Sequence, residues 1–284
     1  MNDIFSGLES LGLSNLNKIE IYQEEKVAEK KEEKTIIAET EEEMLFDKTQ
    51  VCAVCEKKFY SKAIKSGKAK LIETDTDLRP KYSNVDPGKY DVIACPHCGY
   101  SAISRFFKGI TSAQRNLVKE NISSQFKELP PTGVTYTYDE SIMLHKLALA
   151  NSVVKKARVS ERAYTCLKTA WIIRGKRESL DSTTENYAAE SAKLQKKEDE
   201  FIKNAYEGFV NAMQTENFPI CGMEEMTFLY VTADLARRSG EKEQAIKILG
   251  TVITSRSATA KLKDKARDLK DIMLEERRVD HSNK

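Results

Sequence analysis

The sequence predicts an α+β protein that is mostly α, with a small β module in front of antiparallel helical hairpins. Three observations predict it. Two C-x-x-C pairs, Cys52/Cys55 in "VCAVCEKKF" and Cys95/Cys98 in "CPHCGYSA", stand among short segments rich in β-branched and aromatic residues. From about residue 103 the apolar pattern changes to a helical period. Near the C-terminal end, "LYVTADLARRSGEKEQAIKILGTVITS" sets Leu229, Ala233, Ala236, Gly240, Ala245, Leu249 and Val252 in tetratricopeptide-like order, with small residues at a close helix crossing and a glycine at the turn.

The chain divides into four parts. Residues 1–47 hold 13 acids and 5 bases and read as an acidic tail. Within it, Ile4, Phe5, Leu8, Leu11, Leu13 and Leu16 form a short apolar docking element. Residues 48–108 hold 12 bases and 6 acids and form the cysteine module. There "KKFYSKAI", "KAKLIET" and "KYDVIAC" read as strands, with Gly67 and the "NVDPG" stretch as turns. Residues 109–276 form the helical part, and 277–284 a C-terminal tail.

In the helical part, Thr111 with Gln114 and Thr137 with Glu140 have capping-box spacing. The first helix should carry Leu117, Val118, Ile122 and Phe126 on one face and end at Pro130 and Pro131. The second should bury Ile142, Met143, Leu147, Ala150 and Val154. A partner at about 160–174 carries Ala163, Leu167, Ala170 and Trp171. A long helix at about 184–214 shows Phe201, Ala205, Phe209 and Met213 at every fourth residue, and segments near 223–238, 241–254 and 258–275 follow. "LALANSVVKKARVSERAYTCLKTA" is a weaker copy of the repeat.

The chemistry is concentrated in the cysteines. Two-residue spacers let both sulfurs of a pair face one ion, and four thiolates complete a tetrahedral shell for one structural Zn2+. The module is therefore expected to be zinc-ribbon-like, with Cys52, Cys55, Cys95 and Cys98 as ligands. A closed shell leaves no open position for catalysis at the ion. Two pairs in one module favour metal over a redox dithiol. His97, between two of the ligands, reads most simply as a solvent-facing knuckle residue, Cys166 as a small core residue, His145 as a core or boundary residue, and Cys221 as an exposed thiol.

Two further stretches invite functional readings. In "ETDTDLRPKY", Asp75 and Asp77 alternate, so on a strand they would share a side and could hold a cation or polarise a water; an ion-paired loop with Arg79 is the simpler reading. Lys57, Lys58, Lys62, Lys65, Lys68 and Lys70, interleaved with Phe59 and Tyr60, could face nucleic acid or form a solvated strand face. The sequence carries no phosphate-loop, dinucleotide-fingerprint, H-E-x-x-H or G-x-S-x-G pattern. It has three histidines, too few for a well-supported histidine-based active site.

"C-x-x-C-x-K-x-F", "DTDLRPKY" and "YDVIACPHCGYSA" together resemble a bacterial family, domain of unknown function family 2225. "AYTCLKTAWIIRGKRE" and "ENFPICGMEEMTFLYVTADLARRSGEKEQAIKIL" resemble its helical part. The resemblance covers about residues 48–275. It implies a zinc-binding front, a tetratricopeptide-like back and no activity, with the four cysteines as ligands and Asp75, Asp77, Arg79 and Tyr82 in a motif of unassigned role.

The leading expectation is a cytoplasmic, non-enzymatic scaffold that binds a protein or peptide partner on its helical face. No apolar run is long enough for a membrane, and cysteines spaced for metal fit a reducing compartment. The alternatives are a nucleic-acid-associated ribbon and an enzyme with a site around Asp75 and Asp77. Metal removal is expected to loosen residues 48–100 while the helices persist.

Overall fold

The computed structural model describes residues 40–130 and 132–282. The N-terminal apolar element and most of the acidic tail lie outside the described residues. Three antiparallel strand pairs make the β module: β1 (Leu45–Val51) with β2 (Lys58–Ile64), β3 (Leu71–Thr74) with β4 (Pro80–Tyr82), and β5 (Val92–Ala94) with β6 (Ser101–Ile103). Val51 faces Lys58 and Ala94 faces Ser101, so each C-x-x-C pair occupies the tip of a hairpin. The β3–β4 hairpin is the insertion that separates the two tips.

The boundary after residue 47 falls inside β1. Ordered chain begins earlier, because Met44 and Leu45 are buried against Val85 and Tyr90. Glu41 also reaches Lys89 Nζ at 2.6 Å and accepts from Tyr90 Oη at 2.8 Å. Seven α-helices follow among the described residues: α1 (Ser112–Val118), α2 (Tyr138–Val154), α3 (Val159–Glu178), α4 (Tyr187–Thr215), α5 (Glu225–Arg238), α6 (Lys242–Thr254) and α7 (Ala260–Ser282). α7 runs into the stretch read as a C-terminal tail.

Both capping boxes form: Thr111 accepts from Gln114 N and Thr137 from Glu140 N, and each partner side chain returns to the cap N–H. α1 is shorter than its apolar pattern suggests. Its regular part ends at Val118, and a wider π-type turn over Lys119–Ser123 carries the chain on.

α3 and α4 are antiparallel. At one end Gly208 lies so close to Ala163 that a β-carbon on it would sit 2.5 Å from the alanine methyl. At the other, Arg174 Nε reaches Glu198 at 2.6 Å. One apolar core then runs through α3 to α7, including Leu167, Ala205, Phe209, Phe228, Ala233, Leu249 and Leu269. The Phe209 and Phe228 rings are 4.5 Å apart. Gly240, at φ +87°, makes the turn between α5 and α6 that the sequence placed there.

α2 differs from expectation. Its buried residues are Ser141, Leu144, His145, Ala148, Asn151 and Ser152, not the stripe through Ile142, Met143, Leu147, Ala150 and Val154. The reason is tertiary: this face docks on the β module, where polar side chains find partners. Ser141 Oγ donates to the Lys89 carbonyl at 3.2 Å, and Asn151 Nδ2 to the Gly99 carbonyl at 3.0 Å.

Candidate metal centre

The two hairpin tips have matching backbones. In the first, Cys52 N–H donates to the Lys57 carbonyl and Glu56 N–H to the Cys52 carbonyl. In the second, Cys95 N–H donates to the Tyr100 carbonyl and Gly99 N–H to the Cys95 carbonyl. The residue after each second cysteine turns left-handed, Glu56 at φ 63° and Gly99 at φ 72°. The first knuckle also aims the Val54 N–H at Cys52 Sγ, 3.3 Å away.

These turns bring four sulfurs together. Cys52 Sγ lies 3.5 Å from Cys98 Sγ, Cys55 Sγ lies 3.6 Å from Cys95 Sγ, and all four lie within 4.8 Å of one another. A tetrahedral shell with zinc–sulfur bonds of about 2.3 Å needs sulfurs about 3.8 Å apart. The spacing therefore fits a metal ion, and the residues set together are those singled out from sequence.

Electrostatics favour a cation in the middle. Hydrogen bonds from the Cys95 and Cys98 thiols push Cys52 well down, whereas the bond to Cys52 pushes Cys95 up to about 12, and Cys98 also rises. Without a cation, these three sulfurs favour one charge, and a positive ion among them would favour their thiolate forms. His97 is exposed, with Nε2 3.3 Å from the Lys58 carbonyl, and is not in the cluster. The site thus has sulfur donors alone, a set suited to holding an ion.

The centre is fastened to the helices. Besides the Asn151 bond to Gly99, the buried Lys155 ammonium lies 5.8 Å from the Tyr100 ring centroid and 2.6 Å from Glu161. Tyr100 itself donates to the Phe107 carbonyl at 2.9 Å. Phe59, Tyr100, Phe107 and Val118 close over the cysteines as an apolar shell.

A family model described as an uncharacterized protein conserved in bacteria, DUF2225, matches residues 45–273. The chain belongs to this family. No curated protein and no solved structure matches. The family span opens at the first residue of β1, covers both cysteine pairs and ends in α7.

The turn around Asp75 is an ionic latch. Asp75 and Asp77 are in the turn after β3, not on a strand as the shared-side argument required. Arg174 of α3 reaches Asp75 at 2.9 Å, Asp77 at 2.7 Å and Glu198 at 2.6 Å. Asp77 is 0% exposed and also accepts from Trp171 Nε1 at 3.0 Å. Arg79 pairs with Asp75 at 2.8 Å, with Glu178, and donates to the Trp171 carbonyl. Thr76 donates to Asp234 of α5 at 3.0 Å, and Asp234 holds Arg237 and Arg238. Sequence reasoning missed Arg174, Glu198 and Asp234. Burial works to raise Asp75 and Asp77, but the cations, Arg174 foremost, outweigh it and hold both carboxyls below their ordinary range.

The remaining candidates are accounted for. Cys166 is buried, and burial pushes its thiol up to about 12. Cys221 is part-buried rather than exposed; burial raises it to about 11, and its Sγ lies 3.4 Å from the Ser160 carbonyl. Of the lysines, Lys62 pairs with Asp47 at 2.8 Å and Lys65 donates to the Glu43 carbonyl at 2.8 Å, whereas Lys57, Lys58 and Lys70 are exposed.

The two left-handed positions give a paired test. A β-carbon on Gly99 would lie 2.5 Å from Phe126 Cδ2, on a backbone that L residues resist. Gly99→Ala is expected to cost about 2 kcal/mol or more, strain and clash adding. Glu56→Gly, at the matching position, is expected to stay within about 1 kcal/mol of wild type. Denaturant unfolding of metal-loaded protein checks both.

Proposed function

We propose that this protein holds one structural zinc ion at Cys52, Cys55, Cys95 and Cys98 and acts as a non-enzymatic scaffold, with a tetratricopeptide-like helical surface that takes a protein partner. The observation that carries the reading is the sulfur cluster itself: four thiols, with no fifth metal-binding group among the described residues. The carboxylates that might have formed a reaction centre, Asp75 and Asp77, are committed to arginines.

The partner surface in this reading is the open cleft between α2, α3 and α4, about 520 Å³, with Leu149, Val153, Phe201 and Asn204 in its walls. Val153 is 52% exposed and supports no core packing. The test is affinity capture from the native bacterium with wild type and Val153→Asp, alongside metal analysis. A partner held by wild type and lost by the variant, with zinc retained in both, is the expected result. Capture indifferent to Val153→Asp and to deletion of the cleft lining sinks the scaffold reading.

The nucleic-acid alternative keeps one supporting observation: Tyr60 is 72% exposed on the strand that carries Lys58. It requires binding that weakens steeply with added salt.

A further inference from the structure

A second site, remote from the cysteines in chemistry, lies where the β3–β4 hairpin and the turn at Pro87–Tyr90 meet α2 and α3. It is a cavity of about 220 Å³ whose polar wall includes Arg79, Tyr82, Asp91, His145 and Lys168 and whose apolar wall includes Trp171. Its volume far exceeds the ~30 Å³ share of one water. Arg79 serves the ionic latch, which leaves Tyr82 without a role.

His145 is the informative residue. It is 0% exposed, and its Nδ1 lies 2.8 Å from the Ser141 carbonyl, so Nδ1 carries the proton and donates. Nε2 is then a bare acceptor with no hydrogen-bond partner. Burial lowers the His145 pKa to about 4, which keeps the ring neutral at pH 7. A buried acceptor of this kind is costly unless something donates to it.

Lys168 supplies the complement. Its ammonium pairs with Asp91 at 2.9 Å and sits 4.9 Å from the Trp171 ring centroid. An ammonium has three N–H donors, and this ion pair takes one.

The cations of the cavity wall are already matched. Arg79 is held by Asp75 and Glu178, and Lys168 by Asp91, with Asp86 adding to the negative field at Lys168. No unpaired cation calls for an anionic ligand. What remains is an acceptor nitrogen and ammonium protons, the complement of a hydroxyl group, which donates to one and accepts from the other.

We propose that this cavity binds a small neutral hydroxylated molecule, of polyol or monosaccharide size, held between His145 Nε2 and the Lys168 ammonium. Recognition is by shape and hydrogen bonds, with the Trp171 ring as part of the wall.

Trp171 is the only tryptophan in the chain, so all tryptophan emission comes from one residue of the cavity wall. The experiment titrates full-length, metal-loaded protein with glycerol, erythritol, ribose and glucose, and with phosphate, acetate and ethylammonium as charged probes. At least one neutral probe is expected to change Trp171 emission saturably. His145→Phe and Lys168→Met are each expected to weaken that response about tenfold or more. His145→Phe should at the same time match or exceed wild type in thermal stability, since it deletes an unpaired acceptor. Should either variant fail to fold by circular dichroism, Ile172→Phe fills the cavity from its apolar side and must abolish the response. The proposal is overturned if no neutral probe saturates up to about 10 mM, if only charged probes bind, or if binding survives in the folded variants.

Discussion

Replacing Cys52 and Cys95 together by serine is expected to abolish metal binding and to unfold the β module together with the start of the helical layer. Each hairpin tip then loses one sulfur, so neither pair can chelate. Structural zinc sites contribute on the order of 10 kcal/mol of apparent folding free energy in small zinc modules. The three strand pairs here are short, the longest having seven residues per strand, and cannot replace that contribution. The loss will not stop at residue 100. Asn151 of α2 donates to the Gly99 carbonyl, and the Tyr100 ring faces the Lys155 ammonium. Hydrogen exchange is expected to rise across residues 45–107 and through α2, while α5 and α6, which pack on other helices, stay protected. The expectation drawn from sequence was narrower, with residues 48–100 loosening while the helices persist; the same measurement distinguishes the two. Wild type in a chelator, or below the pH at which the thiolates protonate, should give the same pattern.

Arg174→Met is expected to cost about 3–5 kcal/mol at pH 7, the usual penalty for breaking a buried ion pair from one side. The substitution keeps a long apolar stem but strands Asp77 and Glu198, both almost wholly buried. The pH dependence identifies the cause. In the wild type, Asp75 and Asp77 titrate below the ordinary 3.8. Their contribution is therefore complete above that value and is lost as pH falls through the lowered folded range. In Arg174→Met, burial without the guanidinium raises Asp77 above its unfolded value. The variant should then recover part of its stability on acidification from pH 7 towards pH 5, where the wild type gains nothing from this group. Chemical denaturation across that pH range reads both slopes. A variant that unfolds with wild-type midpoints would show that the latch contributes nothing.

What the sequence revealed about this molecule follows the range of the interactions. The capping boxes at Thr111 and Thr137 were legible because cap and partner are three residues apart. The cysteine cluster was legible because each pair is local and sulfur has few competing uses at that spacing. The glycine turn at Gly240 and the apolar faces of α3 to α6 were legible through period alone. The buried face of α2 was legible at His145 but not at Ser141 and Asn151, which look solvent-facing until the β module supplies their partners. β1 was not read as a strand, and the module's boundary was set after residue 47, because an acidic run hides Met44 and Leu45. The latch was beyond reach: Arg174 and Asp77 are 97 residues apart, and nothing local distinguishes that arginine from its half-buried neighbours Lys176 and Arg177. The same distance concealed His145 and Lys168 as walls of one cavity.

The most direct measurement is metal content and sulfur coordination on reduced, full-length protein, by elemental analysis with X-ray absorption at the zinc edge. One zinc per chain in a shell of four sulfurs at about 2.3 Å is the expected result. Reduced protein that holds no stoichiometric metal, yet melts cooperatively with its β module intact, would contradict the claim that two hairpin tips are welded by one ion.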